Sequence, residues 1–283
     1  MDGLKPAAST AAVPPVRRLR VDLDTPLPLH WNGGDAFRTA LFNALSMSFP
    51  AGEQFFIDSL RMGVARLPAE QRPAWEDEVR GFIGQEATHR HVHARFNAHL
   101  AAQGLVNTWE GRILARRVPL EGVDARIWLG VTAATEHLTA VFAEVLLAQP
   151  TLLAGAQPRL RDLWLWHSSE ETEHRSTAFD LYRALGGNER WRLRLFRLVS
   201  FYFATDLLRQ TARNLWHSGA WKQAATWRSA WHTLLGRHGL LRHAWGPWRR
   251  YARADFHPEQ ADASAALAWL AAHGDIASPV TAR

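Results

Sequence analysis

Apolar positions recur along this chain at spacings of three and four and nowhere at a sustained spacing of two, so the pattern predicts helices throughout and no strand. Residues 1–34 stand apart. Pro14-Pro15, Pro26, Pro28 and Gly33-Gly34 interrupt any period there, which predicts a flexible lead-in. Asp35 suits the N-cap of a helix over Ala36–Met47, and Pro50 the first position of a second one to about Leu67. Pro73 opens a long helix that Gly104 ends, with Trp75, Val79, Phe82, Glu86, His89 and His93 on one stripe. A crossover over 104–121 carries a short amphipathic piece, Thr108–Arg117. The next helix, from Gly122 to Ala148, turns Trp128, Thr132, Glu136, Thr139 and Ala143 inward. Pro158 opens the fourth, which runs to Leu185 with Trp164, His167, Glu171, His174 and Ala178 on its stripe. Beyond Gly187 the period stays helical over Leu193–Leu208, Trp221–Leu235 and Ala261–His273.

The fold class is therefore all-α. Three regions are expected: a flexible segment over 1–34, a four-helix bundle over 35–186, and a helical extension over 187–275 packed on it. The helix pairs 50–103 and 122–185 form a weak internal repeat.

Those stripes carry chemistry. Glu86/His89 and Glu171/His174 are each Glu-x-x-His, and residues three apart on a helix lie about 60° apart around its axis, so both side chains of a pair can reach one metal ion. Lone carboxylates, Glu53 and Glu136, alternate with the two pairs at intervals of 33, 50 and 35 residues. One such pair on a helix is more often a solvated surface contact; the interleaved set on apolar-backed helices is not. Four Glu and two His balance two divalent ions, which need bridging carboxylates and terminal nitrogens. Glu53, Glu86 and His89 are assigned mainly to one ion, and Glu136, Glu171 and His174 mainly to the other, with Glu86 and Glu171 as bridges. His167, one turn before Glu171, adds a third donor to that stripe and is either a seventh ligand or a histidine that supports a ligand or packs in the core. His93 fits a supporting or packing role better. Glu170 and Glu173 point off the stripe, towards solvent or an Arg, and His137 points about 100° from Glu136.

Composition narrows the metal. Cysteine is absent, so disulfides, thiolate-bound zinc and Fe–S clusters are excluded. The donors suit iron first, with manganese and zinc as alternatives. No apolar leader segment and no unbroken apolar run of membrane-spanning length is visible, so a cytoplasmic protein is expected. The net charge of +6 is uneven: residues 187–258 hold thirteen Arg/Lys, three acids and seven of the fourteen Trp. That stretch reads as a packed cap or a membrane-surface contact. No motif supports nucleic-acid binding. A homodimer is compatible with the sequence.

Over roughly residues 30–260 the chain resembles a bacterial family of predicted metal-dependent hydrolases. The pieces that carry the likeness are Pro50-x-Gly52-Glu53-x-x-Phe56, Gln85-Glu86-x-x-His89-x-x-x-His93, Glu136-His137-x-Thr139, Trp166-His167-x-x-Glu170-Glu171-x-Glu173-His174 and Asp255-Phe256-His257-Pro258. The ligand pattern is also similar to that of ferritin-like di-iron carboxylate proteins. Within those, the position of His167 resembles the extra ligand of arylamine N-oxygenases. The first implied function is a di-iron enzyme that uses O2 to oxidise or oxygenate an unidentified small organic substrate, a hydrophobic one being compatible with the sequence. The alternative is a dinuclear hydrolase acting through a metal-activated water. An iron store fits less well, because a minimal storage bundle needs no long appended region.

Overall fold

The structure, a computed structural model, describes residues 13–280. It is all-α apart from one short strand pair. Four long helices form the centre: α1 (Ala36–Arg66), α2 (Glu76–Ala102), α4 (Ala125–Ala148) and α5 (Pro158–His174), with α3 (Thr108–Arg117) in the crossover. Two apolar cores lie at opposite ends of this bundle. One holds Phe42, Phe96 and Trp164, the other Phe56, Phe82, Trp128 and Leu181. Along α1 the first core comes before Glu53 and the second after it; α5 runs the same way, α2 and α4 the reverse. The four metal-competent stripes therefore cross one polar layer between two dry ends.

Pro50 does not open a helix. It lies inside the continuous α1, where its missing N–H would have bonded the Ser46 carbonyl. That carbonyl is instead taken by Asn97 Nδ2 at 2.9 Å, so the helix carries the proline without an orphaned oxygen. The fourth helix is shorter than its periodicity implies: α5 stops at His174, and α6 (Thr177–Ala184) follows after a break at Arg175-Ser176. By length and composition alone α4 could cross a membrane, yet it packs between α1, α5, α6 and α7 as a core helix does.

The later part of the chain lies against the same bundle. The long α7 (Glu189–His217) crosses α1 and α4, α8 (Ala224–Leu235) packs on α1, α9 (Leu240–Arg250) on α4, and α10 (Ser264–Ala272) on α5. Arg192 of α7 is buried, paired with Glu189 and bonded to the carbonyls of Tyr251 and Arg253.

Two expectations for the chain's first residues need correction. The expected flexible lead-in covers 1–34, of which 1–12 lie outside the described residues; within 13–34, Pro14, Leu23, Leu27, Trp31 and Asn32 are buried against the rest of the molecule. Leu23, Leu27 and Trp31 enter the first core, and Trp31 Nε1 donates to Asn43 Oδ1 at 2.8 Å. An extended, proline-rich path buries side chains irregularly, so no period betrays it. Nor is strand absent: β1 (Arg17–Leu19) pairs antiparallel with β2 (Ala277–Pro279), in the register Arg17 to Pro279. Three-residue strands are too short to show alternation. The segment leading into β1 comes close to α2 because α2 offers Gly81 and Gly84 there. A Cβ on Gly81 would stand 2.5 Å from the Pro14 carbonyl oxygen, and one on Gly84 2.2 Å from Val16 Cγ2.

Candidate metal centre

All seven residues expected at the site are buried in the polar layer, none more than 3 % exposed. Glu86, His89, Glu171 and His174 each bring a donor atom to within 4.8 Å of the others, and Glu53, His89 and His167 form a second, overlapping group. Glu136 joins through His174, whose Nδ1 lies 3.0 Å from Glu136 Oε2. His167 sits beside Glu53 and Glu171, with Nε2 at 3.9 and 2.8 Å from their oxygens, and stacks on His89 at 4.2 Å between ring centres. It thus stands on the Glu53 side of the layer, not beside His174.

Buried polar atoms need partners, and here many have none. Both oxygens of Glu53, both of Glu86, Glu136 Oε1, His89 Nδ1 and His174 Nε2 are buried without a hydrogen-bond donor among the described residues. The group set against Glu86 is Glu136, another carboxylate, which could donate only by holding a proton. Burying carboxylates this way is very costly unless cations lie between them. The donor set, four carboxylates and three imidazoles from four helices, fits metal binding.

The protons of the imidazoles can be traced. Asn97 donates through Nδ2 to the Ser46 carbonyl, which leaves Asn97 Oδ1 as an acceptor for Ser46 Oγ–H at 2.7 Å. With its one hydrogen committed, Ser46 Oγ accepts from His93 Nδ1–H at 2.9 Å. His93 Nε2 is then the acceptor for His167 Nδ1–H at 2.7 Å. His167 Nε2 is left without a hydrogen, 2.8 Å from a carboxylate oxygen. Two acceptors at that distance call for a cation to draw them together. His93 therefore fixes the tautomer of His167, as partners of metal-bound histidines do.

His89 is fixed from outside the layer. Its Nε2 lies 2.9 Å from Glu170 Oε2, so with the proton on Nε2 the bare Nδ1 faces Glu86 and Glu171 at 3.9 and 3.8 Å. Glu170 is itself held by Arg17 of β1 at 3.1 Å, and Arg17 also grips Glu173 with contacts of 2.6 and 2.9 Å. Gln85 completes the cluster, donating to Glu173 and to the Pro15 carbonyl. Of the two surroundings expected for Glu170 and Glu173, solvent or an Arg, the structure has the Arg, and it adds the burial of Glu170 and its imidazole partner. Arg17 was missed altogether; three acids within four residues on a helix that buries its other faces were the available hint. Thr139 is the other positioning group, its hydroxyl donating to Glu171 Oε2 at 2.6 Å.

Electrostatics follow from this burial. Burial, then the neighbouring carboxylates, push Glu53 and Glu86 well above the usual carboxylate range. Burial lifts Glu136 to about 7 against the pull of His174. Burial raises Glu170 to about 8 despite Arg17. Glu171 lies below its ordinary value: burial opposes this, but the contacts from His167, His174 and Thr139 prevail. Burial lowers His89 and His93, both also beside His167. His174 rises to about 9, because Glu136 and the other carboxylates outweigh its burial.

Two other groups lie outside. His137 turns away into a cage of Phe196, Tyr251 and Phe256, with Nε2 at 3.3 Å from the Trp248 carbonyl. Asp180 holds the imidazole of His257, at 2.8 Å, away from the layer.

A family model described as "Predicted metal-dependent hydrolase" matches residues 15–262, and the chain belongs to that family. No curated protein and no solved structure matches the chain.

Proposed function

We propose that this protein is a hydrolase whose centre holds two divalent ions in the layer between α1, α2, α4 and α5. Glu53, Glu86, His89, Glu136, His167, Glu171 and His174 would hold them. The observation that carries the reading is the set of seven buried donor atoms without partners, drawn from four helices onto one small volume. Two ions, when bound, supply Lewis acidity that polarises a substrate oxygen and acidifies a water. The chain's own residues supply the rest. Arg17 and Glu170 keep the proton of His89 on Nε2, and Ser46 with His93 keep that of His167 on Nδ1, so bare nitrogens face the layer. Thr139 ties down one oxygen of Glu171 and leaves the other facing His167. The apolar cores on both sides exclude bulk water, which strengthens every charge interaction between them.

A second reading, oxidation of an organic substrate with O2 at two iron ions, is favoured by one observation: the donors are two Glu-x-x-His pairs and two lone Glu on four helices, as in di-iron carboxylate bundles. One experiment separates the two. Protein purified without oxygen is analysed for metals, then assayed for ester hydrolysis with Zn(II) or Mn(II), and for O2 uptake with Fe(II). Turnover of esters without O2 uptake supports the hydrolase. O2 consumption coupled to substrate oxidation, with no hydrolysis under any metal, overturns it.

A further inference from the structure

Beside the centre a cavity of about 360 Å³ opens between α1, α3, α4 and α7, at the small end of the range for ligand pockets, ~300–1,000 Å³. Glu53, Glu171 and Thr139 form its inner end. Its walls are apolar, among them Phe49, Val131, Leu195 and Val199. Its outer end is marked by half-exposed Leu198 and Tyr202 and by Arg116, whose guanidinium lies 4.1 Å over the Tyr202 ring. The charges near that end are unequal. Arg112, Arg116 and Arg209 share the single buried Asp206, and Arg117 pairs with Asp58.

Gly52 lines the same cavity, next to Glu53 in the middle of α1. Glycine there weakens the helix relative to alanine. No packing demand explains it, because a Cβ added at Gly52 meets nothing within 4 Å. What the missing side chain leaves is open channel directly above a ligand carboxylate. A dry passage from a cationic rim to Glu53 and Glu171 suits a chain-like apolar molecule that enters end-on.

We infer that this channel seats the substrate, and that the substrate is a carboxylic ester of a medium-length alkyl or acyl chain, its ester group at Glu53 and Glu171, its chain along Gly52 and Val131, and a neutral or anionic outer end at Arg116. Cleavage adds water across the acyl C–O bond, the acyl carbon gaining the hydroxyl and the alcohol oxygen the proton. That chemistry rests on the hydrolase reading; the choice of an apolar chain rests on the channel alone.

The test is binding of straight-chain carboxylates from butanoate to dodecanoate to the metal-loaded protein, measured by calorimetry, with alkylammonium ions as the opposite-charge control. Affinity should rise about fourfold per methylene until the channel is full, the tightening expected from burying each one. Gly52→Phe, which fills open space, and Val131→Phe across the channel should each flatten that dependence while metal content and helical circular dichroism persist. A native protein indifferent to chain length overturns the inference, as do two filled variants that keep the full dependence. Tighter binding of the ammonium series overturns the placement of the acyl group at Glu53 and Glu171. A chain-length dependence without ester turnover supports the channel and counts against the hydrolase reading; turnover of short esters without the dependence does the converse.

Discussion

The two Glu-x-x-His helices bear the same motif in different surroundings. On α2, His89 has its outward nitrogen set against Glu170, a carboxylate held by Arg17 and absent from the groups of converging donors. On α5, His174 has its outward nitrogen set against Glu136, itself a candidate ligand. Burial leaves His89 lowered, whereas Glu136 and its neighbours raise His174 to about 9. The α2 half is thus held ready by groups that stay in place whatever the centre binds. The α5 half draws its support from a candidate ligand of the centre itself, through the His174–Glu136 contact, while His174 Nε2 and Glu136 Oε1 stay without partners among the described residues. The same local spacing therefore gives one arm preorganised from outside the centre and one supported from within it.

The strongest way to break this contrast is to remove the carboxylates central to both arms. Glu86→Ala and Glu171→Ala should each sharply lower metal occupancy by elemental analysis while circular dichroism stays helical. A protein that keeps both ions after either change refutes shared ligation. Next comes the preorganised arm alone. Arg17→Ala or Glu170→Ala should weaken metal binding by about 10–100-fold in a competition titration with a chelator, the usual scale for groups that hold a ligand's second nitrogen. If Arg17→Ala binds metal as the native protein does, the α2 arm needs no outside support and the contrast collapses.

A smaller effect is expected from Thr139→Val, which frees one Glu171 oxygen without touching a histidine. Affinity should fall by less than in the Arg17 variant, and an equal or larger loss would make α5 the more dependent arm. The smallest effect sharpens the comparison from outside. His257 and Asp180 form a carboxylate–imidazole pair at the surface, and the Asp180 contact raises His257 above its ordinary value against partial burial. Its contribution is fully present below the ordinary histidine pKa and is lost as pH rises through the raised one. Exposure limits it to under about 1 kcal/mol. Thermal unfolding of His257→Gln against the native protein should show a gap at acid pH that closes on the alkaline side. A gap that widens with pH contradicts the pairing.

How much of this was readable beforehand follows from distance along the chain. Glu86 with His89 and Glu171 with His174 are neighbours on one helix turn, so spacing alone shows them, and the apolar stripes place Glu53 and Glu136 opposite. His167 was legible as a position but not as a tautomer, because the hydrogens that decide it are set by Asn97 and Ser46 on two other helices. Pro50 misled for a related reason: the acceptor it orphans is served by Asn97, a contact no local rule contains. Arg17 reaches its partners across more than 150 residues, from a segment whose prolines suggest disorder. The channel was invisible, being defined by what Gly52 lacks.

The pairing of β1 with β2 has a bearing on the order of assembly. Its partners are about 260 residues apart, and closing so long a loop from an unfolded chain costs ~5 kcal/mol in entropy, far more than six short-strand residues return by themselves. The strands can meet only once the helices have brought them close. Arg17 rides on β1, so the grip on Glu170 belongs to the last stage of folding. In refolding experiments the far-ultraviolet helical signal should recover first and tight metal retention later, with the lag set by closure of this ribbon.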